Sequence, residues 1–274
     1  MKLTAYTLAS SSKGNSVFIS YGRDSLLIDA GISCRKIESA LKALGTDIRE
    51  LCAIFVTHEH SDHIFGLPTI SKKYGIQIHM TENSAREMLR SEKYLPTADF
   101  ITVHPPLFEV SVGRISVSSF VTPHDSACSV GYRISAGGEV LALATDIGYV
   151  SPEIEKALTG ADSVILESNH DENMLLIGSY PYELKRRILS NHGHLSNENA
   201  SEFAKRLALS GTKRIVLAHL SPENNIPELA LTTALLKLKE TGCEVKVASK
   251  DSPTFVCGES CESAEKASGK EFIC

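Results

Sequence analysis

Short apolar runs separated by polar turns fill most of this chain, and the spacing of apolar positions changes along it. Near the start, "LTAYTLAS", "NSVFISY" and "DSLLIDAG" predict three strands, with "YGRD" as the hairpin turn between the last two. A helix is expected next: Ser33 can cap it, Ile37, Ala40, Leu41 and Leu44 form one stripe, and Gly45 ends it. "LCAIFVT" is wholly apolar, as in a strand buried on both faces. Helices at Pro68 to Tyr74 and near Asn83 to Arg90 are expected around the strands "IQIHM" and "FITVH". Then come the strands "RISVSSFVT", "CSVGYRIS" and "EVLALATD", with "AGG" turning between the last two, and the buried strand "ADSVILES". The clearest helix opens at Ser196, with Ala200, Phe203, Ala204, Leu207 and Ala208 as its stripe and Gly211 as its stop. "KRIVLAHLS", a helix over 228–241 and "CEVKVAS" follow. Strands come in groups with helices between the groups, which predicts an α/β (α+β) fold of two packed sheets with helices outside.

At 274 residues and 42% hydrophobic, the chain can bury one large core. The expected domain runs over 1–257. Residues 258–274 turn polar ("GESCESAEKASGKE") and are expected to be a mobile tail. The net charge of −5 gives no global basic field, which argues mildly against nucleic acid, although a local basic patch can still serve. The seven cysteines are odd in number and scattered, and the pair Cys257 and Cys261 has no second pair at zinc-finger spacing. They read as reduced thiols. No apolar run has transmembrane length and "MKLTAYTLAS" has no signal-peptide core, so a cytoplasmic protein with no membrane partner is expected. No feature identifies a protein partner.

The chemistry concentrates in Val56 to Gly66, "VTHEHSDHIFG". The chain has ten histidines, and three of them, His58, His60 and His63, fall here within six positions alongside Asp62. Imidazole and carboxylate are good ligands for Zn, Mn or Fe. In a loop at a strand end, residues at i and i+2 can converge on one ion, while Asp62 and His63 turn toward a second. Capping histidines in a polar loop would explain one such residue, not four.

"THEHSDH" after an apolar strand resembles the signature of the metallo-β-lactamase-fold hydrolases. The remaining ligands of that pattern follow in order: His124 in "TPHDSACSVGYRI", Asp146 in "ALATDIG" and His219 in "IVLAHLS". The resemblance extends from Leu3 to about Phe255. It implies a four-layer αββα sandwich of two mixed sheets with helices outside, and two divalent metal ions per chain. His58, His60 and His124 would hold the first ion, Asp62, His63 and His219 the second, and Asp146 would bridge them. No thiolate is among these ligands, so Zn is not compelled; Mn or Fe also fit, and Zn is taken as the default. His79 and His104 are read as structural or surface residues. His170 follows a strand end and can lie near the site. Asp29 is either a partner orienting a ligand or a strand-end turn residue.

Fold alone does not choose among the activities this fold hosts. "YPYELKRRILSNHGHLSNENA" is more selective. A phosphodiesterase must protonate a departing alkoxide, and a histidine beside the metals suits that task. Basic side chains and backbone N–H groups at a helix start suit phosphate. The segment resembles the "GHLS/GHSS" element of phosphodiesterase members such as tRNase Z, whose histidine pairs with a glutamate at the end of an earlier strand. His194 and Glu167 match those two positions. The alternative is a helix cap followed by a solvated basic face. At about 100° per helical residue, Lys185, Arg186 and Arg187 cannot all point one way, so one or two of them are expected to meet substrate phosphates.

Only 21 residues separate His124 from Asp146, which leaves no room for a tRNA-gripping arm. "LASSSKGNS" together with "LKRRILS…GHLSNENA" looks most like the YycJ/WalJ subfamily of bacterial exonucleases. That resemblance implies 5′-to-3′ digestion of DNA, with the 5′ end of DNA as the partner. A metal-bridging hydroxide would attack phosphorus, Asp62 would orient it, His194 would act as general acid and Glu167 would hold the His194 tautomer. The turn from Ser10 to Asn15 either supplies donors from residues such as Ser11 and Asn15 to a terminal phosphate, or is only a hairpin turn. A small-molecule metallohydrolase of thioesterase or lactonase type suits the acidic charge better but leaves "KRR…HGHLS" unexplained. A non-catalytic metal-binding protein does not account for a complete ligand set.

Overall fold

Two seven-stranded sheets face each other in the computed structural model, which describes residues 1–258. The first half of the chain supplies β1 (Thr4–Ala9), β2 (Ser16–Tyr21), β3 (Asp24–Ile28), α1 (Cys34–Ala43), β4 (Ala53–Phe55), α2 (Ser61–Ile64), α3 (Leu67–Tyr74), β5 (Ile78–Thr81), α4 (Glu82–Met88) and β6 (Ile101–His104). The second half supplies β7 (Glu109–Val112), β8 (Ile115–Val121), β9 (Val130–Ala136), β10 (Glu139–Ala144), α5 (Pro152–Leu158), β11 (Ser163–Glu167), α6 (Glu172–Ile177), α7 (Tyr182–Ile188), α8 (Asn197–Leu209), β12 (Arg214–Ala218), α9 (Pro227–Leu238), β13 (Glu244–Val247) and β14 (Thr254–Cys257). The strand orders are β14-β1-β2-β3-β4-β5-β6 and β13-β12-β11-β10-β9-β8-β7. Each sheet is mixed: β14 to β3 and β7 to β10 pair antiparallel, whereas β3 to β6 and β10 to β13 pair parallel. This is the expected four-layer sandwich.

Three apolar clusters glue the layers. Leu26, Ile28, Phe55, Val117, Tyr132, Ile134 and Leu143 meet between the sheets. Ile37, Leu41, Ile54, Leu67, Ile70 and Ile78 join the first sheet to α1 and α3. Leu166, Leu217, Phe203, Leu207 and Ala234 join the second sheet to α8 and α9. The fully buried Phe203 contributes about 1.5–3 kcal/mol relative to an exposed position. "AIF" in β4 is buried at every position because it faces the other sheet on one side and helices on the other.

Local signals position several helices as expected. Ser33 accepts from Lys36 N at the start of α1, and Ser196 accepts from Asn199 N at the start of α8. Four elements differ from expectation by being additional. β7 is a short edge strand whose Val110 and Val112 alternate with the exposed Glu109 and Ser111, a pattern only four residues long. β14 owes its strand state to pairing with β1 across almost the full chain length. α5 and α6 are brief, although Ser151 with Pro152, and Asp171, give each a capping signal. The polar segment after β4 is also not wholly a loop. Ser61–Ile64 makes one helical turn that carries Asp62 and His63. The cysteines Cys34, Cys52, Cys128, Cys243 and Cys257 are free thiols. No helix among the described residues is long and apolar enough to cross a membrane. The expected tail beyond Gly258 lies outside the described residues.

The C-terminal ends of the parallel strands in both sheets open toward the same edge, as ligand sites of open α/β sheets do. Tyr132 fixes the two sheets there: its buried hydroxyl donates to the Val56 carbonyl at 2.6 Å, just before the histidine segment. Tyr132→Phe leaves that carbonyl without its partner. A loss of about 1–3 kcal/mol in unfolding free energy is expected, measured by urea denaturation of the metal-free protein.

Candidate metal centre and active site

Seven places in the fold, strand ends, loops and one helical turn, carry charged or imidazole side chains to one point. His58 and His60 follow β4, Asp62 and His63 ride on α2, His124 follows β8, Asp146 follows β10, Glu167 ends β11, His194 precedes α8 and His219 follows β12. These residues form overlapping groups whose potential ligand atoms lie within 4.8 Å of one another: His58, His60 and His124; His58, His63 and Asp146; Asp62, His63 and His219; and Asp146, Glu167, His194 and His219. The sequence-predicted ligands are therefore all brought together.

Three residues outside glycine adopt a positive φ among the described residues: Asp29 (61°), Asp146 (57°) and His219 (58°). All three stand just past a strand end at this site. Left-handed backbone is uncommon outside glycine, although Asp and His adopt it more readily than most side chains. The strain turns each side chain sharply from the sheet into the shared pocket, and it sits where function concentrates. Gly31 allows a further close approach, since a Cβ there would fall 1.5 Å from the Asp62 carbonyl oxygen. Asn15 N and Gly31 N complete this packing by donating to Asp62 O and Asn15 O, both at 2.8 Å.

The ring orientations are fixed from behind. Asp29 Oδ2 lies 2.8 Å from His63 Nδ1, and Asp29 also accepts from Thr57 N at 2.8 Å and Thr57 Oγ1 at 2.9 Å. Asp29 therefore acts as a partner to His63 as well as a turn residue. Thr57 Oγ1 lies 3.0 Å from His58 Nδ1. His124 Nδ1 lies 3.3 Å from the Gly193 carbonyl. Each leaves its other ring nitrogen facing the centre. His58 Nε2 is buried there without a hydrogen-bond partner. Burial pushes the His58 imidazole well below the ordinary histidine range, so it is neutral with a free lone pair. A buried neutral imidazole aimed at other ligand-type atoms fits a divalent metal ion better than any protein group present.

Asp62, Asp146 and Glu167 are held ionised. Burial alone would raise Asp62, yet the charge of His63 and hydrogen bonds from His219 and His63 hold it far below the usual carboxylate range. Asp146 Oδ2 is 3.2 Å from His63 Nε2, and Oδ1 is 3.4 Å from His219 Nε2 and 3.6 Å from His124 Nε2, so this carboxylate faces both ligand groups. Glu167 is fully buried. Its Oε1 is 2.9 Å from His219 Nδ1 and 2.8 Å from His194 Nδ1, while Oε2 accepts from Ile147 N at 2.8 Å and Leu195 N at 3.2 Å. Burial opposes its charge, but His194 and the hydrogen bonds from both histidines bring Glu167 down to about 2. His194 is pushed down by burial and pulled up more strongly by Glu167, so it lies above the ordinary histidine range.

The Beta-lactamase superfamily domain is matched by residues 25–220. The chain belongs to this superfamily. It is a hydrolase of the metallo-β-lactamase fold, and its relatives are of the YycJ/WalJ type. It is 41% identical over 244 residues to a protein of Streptococcus pneumoniae named Exodeoxyribonuclease WalJ, covering 88% of this chain and 90% of that one. It is 38% identical over 246 residues to one of Bacillus anthracis named Exodeoxyribonuclease YycJ, covering 88% and 91%. The solved structure of the metallo-beta-lactamase fold protein YhfI from Bacillus subtilis shares the fold, with a TM-score of 0.70 at 17% identity over 93% of this chain and 100% of that one.

Within this superfamily site, the turn from Ser10 to Asn15 buttresses two of the potential ligands. Ser10 Oγ accepts from His219 N at 2.8 Å, and Asn15 Nδ2 donates to Asp62 Oδ2 at 3.3 Å. Ser11 N donates to Asn15 Oδ1 and Ser11 Oγ accepts from Lys13 N, so both groups are engaged inside the turn. The basic residues of α7 diverge. Lys185 Nζ donates to the carbonyls of Leu176 and Gly178, both at 2.7 Å, where it caps the end of α6. Arg186 lies over the exposed Tyr182 ring at 5.8 Å, near Glu183. Arg187 alone of the three turns toward the site, where it pairs with Asp125 beside His124. Gly193 makes the His194 turn possible, because a Cβ there would fall 2.1 Å from the Ile188 carbonyl oxygen.

His170 is buried close to Glu167 and His194, and neither ring nitrogen has a partner. Three contributors are additional to those expected from the sequence: Thr57; Asp125, which holds Arg187; and Asn169, whose Nδ2 donates to the His219 carbonyl at 2.9 Å. Each is adjacent in sequence to a motif residue or a strand end, which is the one sequence signal for it.

Asp29 offers a test of ligand orientation. Asp29→Asn keeps the size of the side chain but weakens its hold on His63. Such partners typically contribute 10–100-fold to metal affinity. A drop of about that size is expected, read by competition with a chelator.

Proposed function

We propose that this chain is a dinuclear-metal phosphodiesterase that digests DNA from a 5′ end. Glu167 is the observation that carries this reading. One buried carboxylate oxygen contacts both His219 and His194, and this couples a metal ligand to a general acid. A thioester or lactone hydrolase has less need for a second buried histidine held in this way. The exodeoxyribonuclease names of the relatives support the choice of DNA.

In this reading His58, His60 and His124 would hold one ion and Asp62, His63 and His219 a second, with the Asp146 carboxylate facing both groups. Zn is the default, and Mn or Fe fits the same all-N/O ligand set. Divalent ions, when bound, supply an activated water and neutralise charge on the phosphoryl oxygens. The chain does the rest. Asp62, fixed by Asn15 and by the packing at Gly31, orients the nucleophile. Glu167 accepts from His194 Nδ1 and its charge favours the imidazolium, so Nε2 also carries a proton, which it delivers to the leaving oxygen. Arg187, next to the site through Asp125, meets a flanking phosphate. Lys185 and Arg186 support it from α7: Lys185 anchors the helix to α6, and Arg186 offers charge at the rim.

The test is to incubate the metal-loaded protein with 5′-phosphorylated linear duplex DNA labelled at each end in turn. Stepwise loss from the 5′ end is expected, falling about 10²–10⁴-fold in His194→Ala, and stopped by chelation. Loss from the 3′ end overturns the direction. Cleavage of bis(p-nitrophenyl) phosphate but not of DNA overturns the substrate. A His194→Ala variant as active as the parent overturns the general acid. Arg187→Ala is expected to weaken DNA binding and to lower the slope of log affinity against log salt by about 1, as measured by titration at several salt concentrations.

A further inference from the structure

We propose that a cavity beside His60 receives a nucleobase flanking the scissile phosphate. This rests on the DNA reading above and adds a subsite to it. The cavity, of about 510 Å³, is bounded by Glu59, His60, Ile64, Met88, Tyr94 and Ser126. That volume lies within the range of about 300–1,000 Å³ typical of small-molecule sites. His60 belongs to both the cavity and the metal centre, so an occupant of one is next to the other.

The lining chemistry selects a base over a phosphate. Apart from His60, the charged side chains here are the carboxylates of Glu59, Glu87 and Asp125, which repel an anion. Two of these have partners: Asp125 pairs with Arg187 and Glu87 with Arg90. Glu59 Oε1 accepts from Ala127 N at 2.7 Å, but Glu59 Oε2 is buried without a partner, and so is Ser126 Oγ. Buried polar atoms are normally satisfied. An uncharged, flat group with amino or ring N–H donors would satisfy both, and Ile64, Met88 and Tyr94 offer its faces apolar walls. Nucleobases have that character.

The rim extends the match. Phe65 is half-exposed. Lys93 Nζ lies 4.4 Å from the Phe65 ring and 4.8 Å from the Tyr94 ring, and it donates to Tyr94 Oη at 3.1 Å. Aromatic faces interleaved with a cation are how proteins hold unpaired nucleic acid strands. The base enters the cavity, and the neighbouring phosphate meets Lys93 outside it.

The experiment uses the metal-loaded full chain and duplex DNA with a short 5′ overhang. Either the first or the second overhang nucleotide is made abasic, which leaves base pairing untouched. Base stacking of about 1–3 kcal/mol corresponds to about 5- to 150-fold, so digestion of one abasic substrate is expected to slow by about tenfold or more. Ala127→Trp, an exposed position on the cavity wall, is expected to digest intact and abasic DNA at equal rates while keeping its metal content. Glu59→Gln, which exchanges an acceptor for a donor, is expected to change the ranking of rates among the four bases. Equal rates of the parent protein on intact DNA and on both abasic substrates overturn the proposal while leaving the exonuclease reading standing. Unchanged discrimination in Ala127→Trp also overturns it. No digestion of any DNA, with the small diester still cleaved, removes the exonuclease reading and the subsite together.

Discussion

Four carboxylates, Asp29, Asp62, Asp146 and Glu167, and six imidazoles are packed where the two sheets meet, most of them shielded from water. Ionised groups lose several kcal/mol each on such burial unless they are paired and hydrogen-bonded. That constraint organises the surrounding structure. Asp29 is matched by Thr57 and His63, Glu167 by two histidines and two backbone N–H groups, and Asp62 by Asn15, His63 and His219. What protein partners leave over, such as His58 Nε2, is the valence a divalent ion would fill.

The mirrored sheets explain how one chain gathers so many charges. Each sheet passes from antiparallel to parallel pairing, and the parallel strands β3, β4, β10, β11 and β12 end near the same point. Both halves therefore contribute: the first provides the dense His–Asp segment, and the second provides Asp146, Glu167 and His219. The left-handed backbone at Asp29, Asp146 and His219 marks where three strands give up regular geometry to face the centre. The tight packing between the sheets holds that strain in place.

The charge distribution resolves an apparent conflict. A chain of net charge −5 is a poor general attractor of DNA. Its acidic residues are, however, partly gathered at the centre, where they face histidines, and in the cavity by His60. Arg187 and Lys93 stand at separate edges of this region. Recognition then depends on a few placed cations and on unpaired bases, not on a broad basic field.

The sequence alone determined the layers and the candidate ligand set, because much of both is encoded locally. Apolar runs such as "LCAIFVT" and the stripe of Phe203, Ala204 and Leu207 report burial through their own periodicity, and the compact spacing of His58, His60, Asp62 and His63 reports metal chemistry within one segment. His124, Asp146 and His219 were legible through the order of the family pattern, which Asp146 and His219 also support by following apolar strands. Only the tertiary structure decided the rest. β14 exists through a partner at the other end of the chain, and β7 alternates over only four residues and is completed by pairing with β8. The fates of Lys185, Arg186 and Arg187 depend on which neighbours α7 packs against. The sharing of Glu167 between His194 and His219, and the unpaired Glu59 Oε2 in its cavity, arise from contacts between strand ends and loops far apart in sequence. Periodicity describes one element at a time, and these contacts exist only once the two sheets have closed on each other.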